Sequence, residues 1–284
     1  MNQISEHVFI EDEFPGVVLG ALSLPHGVVM VDAPFQSADI SAWRGRLANL
    51  GGGVDKLLVL LDTHLDRSCA VQSMGANILC HEKAEIAVKM RASASHNKDF
   101  KTGAAWELQN IDLDTHAWKP DFTYSDKASL YWNNDPLYIT HHPGSHLAGS
   151  WMCYEPEKIV FVGDSLVCNQ PPFLAWSDLD VWLDDLYLLQ SDAFADYRII
   201  SGRSGVLGQE DVDQMIAFLM EVRNEIGNYY SQKRESEVFQ SAVDRLLGHL
   251  DYAPMFGDQY RQRLQWGLSQ YLLQHPASDN DENN

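Results

Sequence analysis

Four apolar stretches of the sequence each end in side chains that could bind a metal ion. The first is LLVLLDTHLDR, in which Asp62, His64 and Asp66 are two residues apart after a run of strand length. The others are LYITHHPGSHLAGS, KIVFVGDS and YRIISGRSG, and they contribute His146 and Asp164. Imidazole and carboxylate are the ligands of zinc, iron and manganese sites. Because layered α/β folds build their sites at strand ends, we predict that these five residues line one pocket.

The elements that would hold these loops follow from the pattern of apolar residues. Strand-like runs are HVFI, VVLGALSL, GVVMVDAPF, LLVLL, NILC, FTYS, ASLYW, LYITH, GSWMCYE, KIVFVG and residues 197–200. Helical patterns cover residues 41–50, 82–91, 178–190 and 209–222, with a further helix from Ser68 and helices throughout 228–273. The polar stretch 92–120 is typical of an insertion or lid. Strands followed by helices, twice over, predict a layered α/β fold with a C-terminal helical segment.

Composition narrows the class of partner. The formal net charge of −20 disfavours nucleic acid and anionic membranes, because both would be repelled. The four cysteines form no CxxC pair, which is typical of a reducing compartment. The N-terminal residues lack the basic and apolar parts of a signal peptide, and no apolar run approaches the roughly 18 residues of a membrane span. We therefore expect a cytoplasmic protein with a small-molecule substrate.

The order of these motifs resembles the metallo-β-lactamase-fold hydrolase superfamily along most of residues 7–225. That family has the motif His-x-His-x-Asp-His after a strand, and DTHLDR matches it without a gap. Asp62 stands at the first His, while His64 and Asp66 keep the second His and the Asp. Arg67 replaces the last His.

The remaining motifs of the family also have counterparts. HHPGSHLAGS resembles the family's Pro-Gly-His loop with Ser145 inserted, so that His146 is the matching ligand and His142 is the alternative. Asp164 in VGDS matches the family's metal-bridging Asp. The final Pro-Gly-His-Gly loop is SGRSG here, with Arg203 in place of the His.

The resemblance implies a four-layer αββα sandwich and a division of the chain into three parts. These are a metallo-β-lactamase-like domain over residues 1–227, a helical extension packed on it over residues 228–274, and an acidic disordered tail over residues 275–284. Apolar residues recur at helical spacing in YRQRLQWGLSQYLLQ. They either pack on the core or form a homodimer interface.

The two arginines change the expected metal content. In the family, two histidines bind the second metal only, and Arg67 and Arg203 occupy both of those positions. Since arginine stays protonated in proteins, the resemblance implies that the second metal is absent. One divalent ion remains, with zinc preferred to iron, and the ligands of this ion would be Asp62, His64, His146 and Asp164. A metal-free pocket is the alternative.

The resemblance therefore implies a mononuclear metal-dependent hydrolase of a small ester, lactone, thioester or amide. Asp66 would orient or deprotonate the metal-bound water. Arg67 and Arg203 would bind a substrate carboxylate or phosphate, or would pair with Asp66 and Asp164 in place of the missing cation. Two other functions stay open. One is a non-catalytic binding protein that has lost its metals, and the other is a mononuclear iron protein with redox chemistry.

Overall fold

The structure is a computed structural model that describes residues 1–94, 101–108, 118–232 and 235–276. Most of the predicted acidic tail and much of the predicted lid lie outside these residues. The described chain forms two β-sheets with helices on the outer face of each. No helix among the described residues combines the length and the apolar character needed to cross a bilayer.

The first sheet contains seven strands in the order in which they occur in the chain. Strands β1 to β4 are antiparallel, and β4 to β7 are parallel. The strands are β1 (Asn2–Gln3), β2 (Val8–Glu11), β3 (Leu19–Ser23), β4 (Gly27–Val31), β5 (Asp55–Val59), β6 (Asn77–His81) and β7 (Phe122–Tyr124).

The second sheet has six strands in the order β13-β12-β11-β10-β9-β8. Only the β11–β12 pair is parallel among the described strands of this sheet. The strands are β8 (Lys127–Leu130), β9 (Leu137–His141), β10 (Ser150–Tyr154), β11 (Ile159–Gly163), β12 (Arg198–Ser201) and β13 (Gly205–Leu207).

Helices cover both sheets on the outside. The helices are α1 (Ser37–Leu47), α2 (Leu65–Ser68), α3 (Ala84–Ala94), α4 (Leu179–Gln190), α5 (Gln209–Ser231), α6 (Ser236–Gly248) and α7 (Gly257–Gln274). Short 3₁₀ turns occur at Val71–Met74, Ala105–Leu108, Glu155–Glu157 and Pro254–Phe256.

The alternation of side chains along the strands produces the layers. In β4, Val29 and Val31 point into a core shared with the second sheet, whereas Val28 and Met30 join the core beneath α1 and α3. Successive strand residues point to opposite faces, so a strand that is apolar at every position is buried on both sides. The predicted αββα sandwich with added C-terminal helices is confirmed.

The C-terminal helices belong to the outer core of the second sheet. Leu246 of α6 and Leu264 of α7 lie in the same buried cluster as Trp182 of α4 and Trp151 of β10. Helix α5 runs without a break across the predicted domain boundary at residue 227. That boundary stays a prediction, as does a homodimer through these helices.

Some predicted elements differ in extent. The helix expected from Ser68 is limited to the 3₁₀ turn Val71–Met74, because α2 ends at Ser68 and the chain turns at Gly75 with a φ of 66°. Helix α1 starts and ends earlier than the predicted range 41–50. The sequence pattern does not predict strand β13, since it has only three residues and begins with a glycine.

Candidate functional site

The predicted site residues follow the carboxyl ends of four strands. Asp62 follows β5 of the first sheet, whereas His146, Asp164 and Arg203 follow β9, β11 and β12 of the second. At Gly163 the register of β11 shifts and φ is 58°, a conformation that suits glycine. This bend directs the chain into the loop that carries Asp164.

Arg67 is the centre of a buried ion-pair network. Its Nη1 lies 3.1 Å from Asp62 Oδ2 and its Nη2 lies 2.7 Å from Asp164 Oδ1. Nη2 also donates to the carbonyl oxygen of Gly202 at 3.3 Å, and a side chain at position 202 would collide with the guanidinium. Burial disfavours ionisation of Asp62, but Arg67, His64 and His146 together outweigh it and hold the pKa of Asp62 well below its ordinary value.

Arg203 joins the other two carboxylates. Its Nε donates to Asp164 Oδ2 at 2.7 Å, and its Nη1 and Nη2 donate to the two oxygens of Asp66 at 2.6 and 3.2 Å. A further bond from Nη1 reaches the Gly16 carbonyl oxygen at 2.9 Å. Burial raises the pKa of Asp164, but Arg203 and Arg67 together lower it below the usual range. Both arginines therefore occupy positions between carboxylates, as the sequence predicts.

Three of the predicted ligands converge. The donor atoms of Asp62, His64 and Asp164 all lie within 4.8 Å of one another. His64 Nδ1 lies 3.0 Å from Asp62 Oδ1 and 3.4 Å from Asp164 Oδ2, yet it is buried without a hydrogen-bond partner among the described residues. Zinc bonds of about 2.0–2.2 Å in a tetrahedron would separate neighbouring ligand atoms by roughly 3.3–3.6 Å. The two separations from His64 Nδ1, 3.0 and 3.4 Å, are close to this range, so the donor set is compatible with one small divalent cation.

His146 lies beside this set but not within it. Its ring centroid is 5.1 Å from that of His64, and its Nε2 lies 3.2 Å from the hydroxyl of Thr63. Its Nδ1 accepts the backbone N–H of Ala148 at 3.0 Å. In the neutral ring the proton is therefore on Nε2, which makes His146 a hydrogen-bond donor towards the site.

His142, the alternative ligand, is held elsewhere. Its Nδ1 lies 2.8 Å from Asp185 Oδ1 and its Nε2 lies 3.1 Å from the hydroxyl of Thr140. Its ring stacks on Trp151 with centroids 3.7 Å apart. Both ring nitrogens are engaged, so His142 supports the loop between β9 and β10.

Asp32 is a site residue that the sequence motifs do not predict. It is 1% exposed, accepts the backbone N–H of Leu61 at 3.0 Å and lies 3.4 Å from Arg67. Burial raises its pKa to about 7, which the charge of Arg67 opposes. The signal that could have found it is in GVVMVDAPF, where an apolar strand ends in an aspartate.

Two further residues complete the wall of the site. The ring of Phe173 lies 5.1 Å from the His64 ring and 4.7 Å from the guanidinium carbon of Arg203. Arg263 of α7 approaches the same ring to 4.3 Å. No local pattern singles out either side chain, because these contacts join segments far apart in the chain.

Solved structures with this arrangement of layers identify the fold. A metallo-beta-lactamase family protein from Thermus thermophilus is 15% identical, and the match covers 97% of this chain and 96% of that one with a TM-score of 0.66. An archaeal metallo-beta-lactamase superfamily protein from Sulfolobus tokodaii is 13% identical over 94% of this chain and 98% of that one, with a TM-score of 0.61. The chain has the metallo-β-lactamase fold.

A metallo-beta-lactamase from Pontibacter korlensis matches a smaller share of the chain. It is 16% identical over 77% of this chain and 97% of its own, with a TM-score of 0.61. The 97% coverage of the Thermus match is too large to omit α6 and α7, so the likeness to that protein extends beyond the metallo-β-lactamase sandwich. The chain matches no protein-family model and no curated protein.

Proposed function

We propose that this chain is a hydrolase that uses one divalent metal ion, with zinc as the ion and a small ester, lactone, thioester or amide as the substrate. The ligands are Asp62, His64 and Asp164. The observation that supports this proposal is the position of His64 Nδ1, which is buried next to two carboxylate oxygens without hydrogen-bond geometry to either. A polar atom placed in this way is costly unless a ligand satisfies it.

The two arginines take the electrostatic role of a second cation. Arg67 and Arg203 each contact two or more of the site carboxylates, and both are 9% exposed or less. Arginine stays protonated, so these positive charges persist at any physiological pH. Asp62 and Asp164 remain ionised as a result, which is the form that binds a metal.

A metal bound here would supply a Lewis acid and a water of lowered pKa. The chain's own residues would position the reactants around it. Asp66 is fixed by two hydrogen bonds from Arg203 and keeps free lone pairs to orient the attacking water. His146 offers its Nε2 proton to the developing negative charge on the substrate. Phe173 provides an apolar wall beside His64.

A second function, a metal-free binding protein, is favoured by one specific observation. Every oxygen of Asp62, Asp66 and Asp164 already accepts a hydrogen bond. The network could therefore hold the pocket together without an ion. A mononuclear iron protein would use the same ligands as zinc, and identification of the bound metal distinguishes the two.

Metal-dependent hydrolysis tests the proposal against these alternatives. The protein is stripped with a chelator, reloaded with zinc or Fe(II), and assayed against chromogenic esters, lactones, thioesters and amides. We expect turnover with zinc only, loss of it in His64→Ala, and retention in the control His26→Ala, whose side chain is exposed. Turnover in the stripped protein or in His64→Ala that equals turnover in the zinc-loaded unmodified protein would contradict the proposed site. No metal uptake would leave the binding-protein function.

A further inference from the structure

Arg263 is a buried cation whose charge is not balanced. The residue is 2% exposed and lies on α7, sixty residues beyond Arg203. Its Nε donates to the Gly103 carbonyl oxygen at 3.0 Å, and its Nη1 donates to Gln170 Oε1 at 2.9 Å and the Pro171 carbonyl oxygen at 3.0 Å. All three acceptors are neutral. Within the described ranges, no carboxylate forms an ion pair with it.

A buried charge without a counterion is unfavourable. Ionised groups in protein interiors are paired in most structures, because desolvation costs several kcal/mol per ion, as an order of magnitude. Burial and the nearby charge of Arg203 lower the pKa of Arg263 to about 10, so it remains charged at neutral pH. The three neutral acceptors use its Nε and Nη1 hydrogens. Its Nη2 donates to no residue that the structure describes, which leaves two N–H groups for a ligand.

The net charge of the buried site groups, counted with one metal ion, also indicates that an anion is missing. Four buried carboxylates (Asp32, Asp62, Asp66 and Asp164) and three buried guanidiniums (Arg67, Arg203 and Arg263) leave one negative charge when all are ionised. One divalent ion would change this to one positive charge. A single carboxylate or similar anion on the substrate would then bring the buried set to neutrality.

We propose that Arg263 binds an anionic group of the substrate, so that the substrate of this site is a carboxylate-bearing ester, lactone, thioester or amide. This inference rests on the proposed hydrolase function. Phe173 lies close to both the proposed metal site and Arg263. Its ring lies 5.1 Å from the His64 ring and 4.3 Å from the guanidinium carbon of Arg263, so a short flexible substrate that passes this ring reaches both. The C-terminal helix thereby contributes to specificity.

The test uses glutarate, a short flexible dicarboxylate, titrated calorimetrically into the zinc-loaded protein at low ionic strength. We expect Arg263→Gln to weaken binding at least tenfold, which corresponds to about 1.4 kcal/mol. Arg263→Lys keeps the charge and should retain part of the affinity. The control Arg223→Gln alters an exposed ion pair with Asp180 and should bind like the unmodified protein. Dimethyl glutarate, which is uncharged, should not bind.

Three results would overturn the proposal. They are an absence of glutarate binding by the unmodified protein, equal affinity in Arg263→Gln, and equal affinity for the diester. The diester comparison needs no variant, so it remains decisive even where Arg263→Gln fails to fold. The titration is repeated on chelator-treated protein, where Arg263 dependence should persist because Arg263 is not a metal ligand. A protein that takes up no zinc but still shows this dependence would refute the proposed hydrolase and keep the anion site.

Discussion

Replacing Arg67 with methionine isolates the electrostatic role of the network. Arg67 is 1% exposed, and three carboxylates, those of Asp32, Asp62 and Asp164, lie within 3.4 Å of its guanidinium. Methionine fills part of the space but leaves Asp32 and Asp62 without their main counter-charge, and Asp164 with Arg203 alone of its two arginines. Breaking a buried ion pair by removing one partner costs about 3–5 kcal/mol. We expect a loss of that size in the free energy of unfolding, with only part of the protein's marginal stability remaining.

The pH dependence of this decrease in the free energy of unfolding shows whether the missing charge of Arg67 causes it. In the unmodified protein the pKa values of Asp62 and Asp164 are lowered, so their stabilising contribution is present above their unfolded pKa near 3.8 and is lost as the pH falls through the folded values. Without Arg67, Arg203 still lowers the pKa of Asp164 and His64 that of Asp62, but burial is opposed less and both pKa values rise. Stability then falls as the pH rises through the new values. The destabilisation should therefore be larger at pH 8 than at pH 5.

Urea unfolding at both pH values measures the effect. Arg223→Met serves as a matched control, because Arg223 and Asp180 form an exposed ion pair whose loss should cost about 1 kcal/mol or less. Added zinc should restore part of the stability of Arg67→Met, by about 2.7 kcal/mol at a concentration one hundred times the dissociation constant. A destabilisation equal to that of the control, or one that does not depend on pH, would refute the reasoning.

Two other perturbations follow from the same network. The double variant Arg67→His, Arg203→His should bind a second metal ion, because it restores neutral imidazoles at both positions; at most one ion per chain by mass spectrometry would contradict the assignment of these loops. Burial raises the pKa of Asp32 to about 7, so the unmodified protein should lose stability as the pH rises from about 4 to 7. Asp32→Asn should remove this decrease. Asparagine suits the φ of 57° at this position, and unchanged pH dependence of urea unfolding would count against a protonated Asp32.

The layered α/β class was predictable because its signals are local, whereas the four-layer sandwich came from the family resemblance. The strands are apolar or alternating runs, and the ligand-type residues follow strand ends that the sandwich brings to one edge. The predicted ligands Asp62, His64 and Asp164 needed only the resemblance of two short motifs. The pairing of Arg67 and Arg203 with carboxylates was one of the two roles that the resemblance implied for them.

The rest depended on contacts that no local pattern contains. Whether His146 binds a metal or donates a proton depends on a single backbone N–H from Ala148. Phe173 and Arg263 reach the site from a loop and a C-terminal helix, and no local pattern singles out either side chain. Such contacts join residues far apart in the chain, so spacing and periodicity cannot predict them.

The most direct test of a single-metal site is the metal content of protein purified without chelators or added metal. Elemental mass spectrometry on the unmodified protein and on His64→Ala measures it. We expect close to one zinc ion per chain in the unmodified protein and a small fraction of that in the variant. No metal in either protein, or two ions per chain in the unmodified one, would contradict the site proposed for Asp62, His64 and Asp164.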